Sequence, residues 1–173
     1  VDCVSADDCV QEISEVIASK GTSCHWLACI NPHSYTVARN DRVFTTALQA
    51  ARWLIPDGIG IIIAARVLGK PMQGRVTGAD IFDGVMSYLD KPGAAVYFLG
   101  GPDHTLSLIR KKLAVDYPRI RLVGTFSPPF KTDYTSAEND QMVNLINRSG
   151  ADVLWVGLTA PKQEKWIYAN SDR

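Results

Sequence analysis

A chain of 173 residues has room for one hydrophobic core, because a chain of this length buries about 70% of the surface its unfolded form exposes. Hydrophobic residues at 46% and charged residues at 21% exclude a disordered or membrane-embedded composition. Eighteen Lys and Arg against eighteen Asp and Glu, a formal net charge of +0, leave no global positive field for a nucleic-acid backbone.

Val1–Val4 reads as the remainder of a strand. Ser5 with Asp8 three residues later resembles a capping box, and Val10, Ile13 and Ile17 recur at helical spacing, so a helix is expected from near Ala6 to Lys20-Gly21. The apolar run Cys24–Ile30 predicts a strand that meets a breaker pair at Asn31-Pro32 and opens a loop, Cys29–Ser34. Helical spacing resumes at Tyr35, Val37 and Ala38 and again at Phe44, Ala47, Leu48 and Ala51. Trp53-Leu54-Ile55 predicts a short strand running into the turn Pro56-Asp57-Gly58.

Gly60–Leu68 reads as a helix closed by Gly69, and Ala79–Leu89 as another after the irregular segment 70–78. Ala94–Leu99 predicts a strand ending in Gly100-Gly101-Pro102-Asp103, followed by a helix through Leu106, Ile109 and Leu113. Strands are expected at Ile120–Val123 and Asp152–Leu158, with a Pro-rich loop over Thr125–Thr135 and a helix over Ala137–Ile146 between them. A last helix opens at Pro161. The alternation predicts a single-domain, doubly wound, mostly parallel α/β sheet with helices on both faces, since parallel neighbours need a crossover of a dozen or more residues.

The longest apolar stretch, Ile59–Ala65, is far shorter than the roughly 20 residues that span a bilayer. No basic segment followed by an apolar one opens the chain, so a cytoplasmic location is expected. The break after Arg173 falls just beyond the start of a helix, and the chain reads as a core truncated at its C-terminus. None of Cys3, Cys9, Cys24 and Cys29 forms a Cys-x-x-Cys pair; Cys3 and Cys24, within apolar runs, are expected to be small buried hydrophobes. His25 reads as a core residue of its strand. His33 stands at a strand end, and His104 at a helix start.

Ligands of an open α/β sheet bind at the carboxyl ends of its strands, which directs attention to four loops, Cys29–Ser34, Pro56–Gly60, Gly100–Asp103 and Thr159–Glu164. In Pro56–Gly60, Asp57 is placed either as a general base or as the N-cap of the next helix. Gly100-Gly101 would let the main chain approach a diphosphate at a helix start, or make a plain tight turn. The full Gly-x-Gly-x-x-Gly pattern is absent, which disfavours a dinucleotide oxidoreductase. Lys162 and Gln163 could meet a phosphate or a sugar hydroxyl, and Arg75 could fork onto a diphosphate; each could equally be a solvated surface residue.

Taken in order, Asn31-Pro32, Pro56-Asp57-Gly58-Ile59-Gly60, Arg75-Val76-Thr77-Gly78-Ala79-Asp80, Tyr97-Phe98-Leu99-Gly100-Gly101 and Pro161-Lys162-Gln163-Glu164-Lys165-Trp166 resemble the WecG/TagA/CpsF glycosyltransferase family. The resemblance favours Asp57 as the catalytic base. It implies an inverting, metal-independent transfer, with no cofactor, of an N-acetylmannosamine- or glucose-like sugar from a UDP-sugar to a polyprenyl-diphosphate-linked acceptor in cell-surface polysaccharide synthesis. It further implies that Asn31 orients a hydroxyl, that Arg75 and Gln163 serve the departing UDP, and that Cys29 stands near the donor where many members carry threonine. The family chain continues into a basic C-terminal segment that meets the inner membrane face, and many members are homo-oligomeric. The alternative is a non-catalytic nucleotide or phosphosugar binding module using the same loops.

Overall fold

The computed structural model describes residues 5–21, 23–70, 72 and 74–173. The strand read at Val1–Val4, and Cys3 with it, lie outside them. Eight helices and five strands are found among the described residues. The architecture is α/β and Rossmann-like, with every strand pair parallel. The chain divides into two compact units, residues 1–85 with 164–172 and residues 86–163 with 173.

In the first unit, α1 (Ala6–Ser19) begins as its sequence predicts: Ser5 Oγ accepts the Asp8 N–H at 3.1 Å and the Asp8 carboxylate accepts the Ser5 N–H at 3.3 Å. Two of the four N–H groups that a helix start leaves without partners are thereby satisfied. Strand β1 (Leu27–Ile30) pairs with β2 (Trp53–Pro56), Leu27 opposite Trp53 and Ile30 opposite Pro56. Residues 24–26, expected as strand, precede the ladder because their partner begins only at Trp53. Cys24 is exposed rather than a buried hydrophobe. His25 is exposed too, not a core residue, with its ring edge-on to Trp53 at 6.5 Å.

The expected loop after β1 is instead a helix start. Asn31 caps α2 (Pro32–Ala38), and Pro32 occupies the first helical position, where its missing N–H costs nothing. Asp41 caps α3 (Arg42–Ala50), accepting the Phe44 N–H at 3.0 Å, and also pairs with Lys165 of α8 (Lys162–Asn170). The α3 face formed by Phe44 and Leu48 packs with Ala28 and Ile30 of β1 into one buried cluster. Helix α4 (Ile59–Val67) follows β2, and α5 (Gly78–Leu89) follows the 68–77 segment. Gly84 lets α5 close on α1: a methyl group there would lie 2.6 Å from Val10 Cγ2.

In the second unit, β3 (Ala95–Gly100) lies between β4 (Arg121–Phe126) and β5 (Val153–Gly157). All six β3 residues are buried, as a central strand with both faces covered requires. Strand β4 runs on through Phe126, beyond the expected end at Val123. The ladder shifts register there, Val96 lying opposite Leu122 and Tyr97 opposite Gly124, and pairing resumes because Gly124 makes room for the Tyr97 ring, which an added methyl would meet at 2.3 Å. Helix α6 (Asp103–Asp116) connects β3 to β4, and α7 (Ser136–Ser149) connects β4 to β5. The crossovers through α6 and α7 place β4 and β5 on opposite edges of β3, so the strand order reverses at β3 and its C-terminal end is a topological switch point.

Candidate functional site

Within the first unit, the carboxyl ends of β1 and β2 carry Cys29, Asn31 and Asp57. Asp57 is half-buried, and its N–H donates to Ile30 O at 2.9 Å, tying the two strand ends together. It does not cap the following helix. The N-cap of α4 is Gly58, at φ 116°, and no side chain bonds to that helix start. The Asp57 carboxylate has no hydrogen bond or ion pair among the described residues, so the capping alternative for this residue falls away.

Asn31 is partly committed. Its Oδ1 accepts the Ser34 N–H at 2.9 Å and its own N–H donates to Ser34 Oγ at 2.8 Å. This leaves the Nδ2 amide as the half available to a ligand. Cys29 Sγ lies 3.5 Å from where a methyl group on Gly78 would stand. Burial, and then the nearby charges of Asp57, Glu164 and Cys9, push the Cys29 thiol up to about 12. It stays a neutral thiol at any physiological pH, a weak hydrogen-bond partner and not a nucleophile. Arg75 is exposed, with no hydrogen bond or ion pair among the described residues, and lies close enough to Asp80 to help hold its carboxyl low. The larger causes there are the hydrogen bonds from Thr77 to Asp80 at 2.7 and 2.8 Å.

Within the second unit, Gly100 and Gly101 stand at the switch point with φ 105° and 76°. Their roles differ. A methyl group at Gly100 would lie 2.4 Å from Gly157 O, whereas at Gly101 it would meet nothing nearer than Thr105 at 3.9 Å. Gly100 therefore serves the packing of β3 on β5, and Gly101 leaves open space. Gly101 O accepts Ser127 Oγ–H at 2.7 Å, and no side chain caps α6 behind it.

Lys162 is turned to its own unit: Nζ donates to Lys131 O at 2.8 Å and to Tyr134 Oη at 3.3 Å, over the rings of Phe130 and Tyr134. It staples the segment after β4. The Gln163 N–H donates to Thr159 O at 3.1 Å, and its side chain is half-buried. His33 and His104 are both exposed in first helical turns. No group of three or more His, Cys, Asp or Glu side chains suited to a metal ion occurs among the described residues.

A cavity of about 440 Å³ in the first unit, lined by Cys24, His25, Trp26, Arg52, Tyr168 and Asp172 among others, opens at the amino ends of β1 and β2. This is the wrong end of a parallel sheet for a substrate site, and the carboxyl-end loops remain the candidate.

The family model described as "Glycosyl transferase WecG/TagA/CpsF family" matches residues 1–173, the whole chain. The chain belongs to the WecG/TagA/CpsF glycosyltransferase family. Among curated relatives, it is 26% identical over 142 residues to an N-acetylglucosaminyldiphosphoundecaprenol N-acetyl-beta-D-mannosaminyltransferase of Bacillus subtilis, covering 82% of this chain and 53% of that one. It is 23% identical over 164 residues to the protein of the same name in Staphylococcus aureus, covering 95% of this chain and 62% of that one. The chain thus spans between half and two thirds of the length of these WecG/TagA/CpsF relatives.

One residue of this WecG/TagA/CpsF chain was missed by the sequence reading. Glu164, in the first turn of α8, is 3% exposed, and its charge acts on Cys29. Its burial was not signalled, because an acidic residue in a first helical turn is ordinarily a solvated one.

Proposed function

We propose that this chain is the donor-binding and catalytic core of an inverting, metal-independent glycosyltransferase. It moves an N-acetylmannosamine- or glucose-like sugar from a UDP-sugar to a polyprenyl-diphosphate-linked saccharide, working at the inner face of the plasma membrane. The observation that carries this reading is Asp57: a half-buried carboxylate at the carboxyl end of β2, released from capping and from ion pairing. Family membership and the relatives' printed acceptor support it.

In the proposed reaction the Asp57 carboxylate takes the proton of the acceptor hydroxyl as that oxygen attacks the anomeric carbon, and the bond to the UDP oxygen breaks in the same displacement. A single displacement inverts the anomeric centre. The leaving diphosphate carries away negative charge, and the exposed Arg75 is the cation proposed to meet it. Asn31 Nδ2 orients a sugar or acceptor hydroxyl. Gly101 leaves open space at the end of β3 for a phosphate of the donor, and Gln163 is offered to a donor phosphate or hydroxyl.

The test is Asp57→Asn in the chain carried to the length of its relatives, assayed with a UDP-sugar panel and a lipid-diphosphate-linked acceptor. Turnover should fall about 100-fold or more, while donor affinity and melting temperature hold, since no hydrogen bond of the carboxylate is lost. Transfer at the wild-type rate by the variant, or donor binding without any transfer by the wild type, would overturn the proposal; the second result would mark a binding module.

A further inference from the structure

Helix α4 exposes more large aliphatic side chains than any other described helix. A surface helix normally shows one apolar stripe to the core and a polar face to water. In α4, Ile62 fills the buried side at 2% exposed, yet Ile59, Ile63 and Val67, spaced by four, are 62%, 54% and 81% exposed. Leu68 beside them is 75% exposed. Four large aliphatic side chains along two turns form a contiguous patch of the kind that marks an interaction surface.

The charges carried by α4 and the segment that follows it have one sign. From Gly58 to Ala79 the sequence contains Arg66, Lys70 and Arg75 and no Asp or Glu. All three cations are exposed. An apolar ridge followed along its own segment by cations matches the chemistry of an anionic bilayer surface, whose acyl region takes aliphatic side chains while its headgroups take Lys and Arg. A second copy of the same ridge would instead bring like charges together along its border.

We propose that the exposed face of α4 is a membrane-docking surface, with Ile59, Ile63, Val67 and Leu68 entering the headgroup boundary of an anionic leaflet and Arg66 and Lys70 pairing with its phosphates. The surface stands on α4 alone. Its use in catalysis rests on the proposed function: α4 starts two residues after Asp57, so docking through this helix would hold the base at the depth where a lipid-linked diphosphate presents its sugar.

The experiment is flotation of this chain with vesicles of 30% phosphatidylglycerol in phosphatidylcholine and with pure phosphatidylcholine vesicles. Binding to the anionic vesicles is expected, weakened about tenfold or more by Arg66→Gln with Lys70→Gln, by pure phosphatidylcholine or by 0.5 M salt. Ile63→Ser with Val67→Ser should also abolish it. The melting temperature of each variant should stay within about 2 °C of the wild type, because exposed side chains contribute little to stability.

Two results would overturn the proposal. One is equal flotation of wild type and both double variants. The other is a stable dimer in sedimentation velocity that Ile63→Ser with Val67→Ser dissociates, which would assign the stripe to a second copy. Because flotation needs no turnover, failure here leaves the Asp57 test untouched, and vesicle binding by a chain that transfers no sugar would still support docking.

Discussion

Gly100 and Gly101 adjoin in sequence and share a positive φ, so replacing each by alanine separates main-chain packing from access to a ligand. Placing an L-residue at such a φ costs about 1–2 kcal/mol. At Gly101 that is nearly the whole penalty, because the new methyl meets nothing nearer than Thr105 at 3.9 Å. At Gly100 the methyl would lie 2.4 Å from the carbonyl oxygen of Gly157. That oxygen belongs to the β5 main chain, opposite Gly100 in the ladder, and cannot rotate away as a side chain could. Overpacking of this kind adds about 1–3 kcal/mol, for a total near 4 kcal/mol.

With about 2–4 °C lost per kcal/mol in a chain of this size, Gly100→Ala should melt about 10 °C below the wild type and Gly101→Ala about 4 °C below. Thermal and urea unfolding followed by far-ultraviolet circular dichroism measure both. Under the proposed function, Gly101→Ala should also weaken UDP binding more than its small stability loss explains. Equal melting temperatures for the two variants would refute the assignment of Gly100 to the β3–β5 contact.

Two further predictions follow from titrating groups. Hydrogen bonds from Lys131 first, then from Thr135, hold Glu138 down at about 2 from its usual 4.5. A depressed carboxylate stabilises the fold above its unfolded pKa and loses that contribution as pH falls through the folded one. The stability of wild type over Lys131→Met should therefore be full above about pH 4.5 and vanish toward pH 2, read by urea midpoints across that range; a difference independent of pH would refute the pairing.

The second concerns thiols. In a Cys3→Ser background at pH 8, exposed Cys24 should react first with a disulfide reagent. Cys9 is fully buried, and Cys29 at about 12 has roughly a thousandth of the ordinary thiolate fraction. Both should wait for denaturant, and Cys29 reacting as fast as Cys24 in the folded chain would contradict the burial described for it.

Where local chemistry decides structure, the sequence was readable. The Ser5–Asp8 box set the start of α1, Gly69 the stop after α4, and the apolar run 94–99 the central strand. Asn31-Pro32 misled because the same pair that breaks a strand also makes a good helix start, and only the serine three residues on distinguishes them. Cys24 and His25 misled because an apolar run says nothing about where its partner strand begins. At the site, the sequence placed Asp57 at a strand end but left its capping role open, since that depends on the φ of Gly58. The engagement of Lys162 with Lys131 and Tyr134, residues some thirty positions away, had no local signal at all. Glu164 is the converse: a residue type that belongs in water, removed from it by packing.

The starts of α2 and α4 are fitted to each other through one proline. Gly58 faces Asn31 Cβ and Pro32 Cδ, and a methyl at Gly60 would stand 2.7 Å from Pro32 Cγ. Asn31 and Asp57 are thus anchored in a single interlocked corner, with the Asp57 N–H bonded to Ile30 O behind them. Under the proposed function, their spacing is set by contacts within the folded chain before any sugar arrives. Whatever closing motion a substrate demands has to be supplied by other parts of the chain, while this corner acts as the fixed jaw.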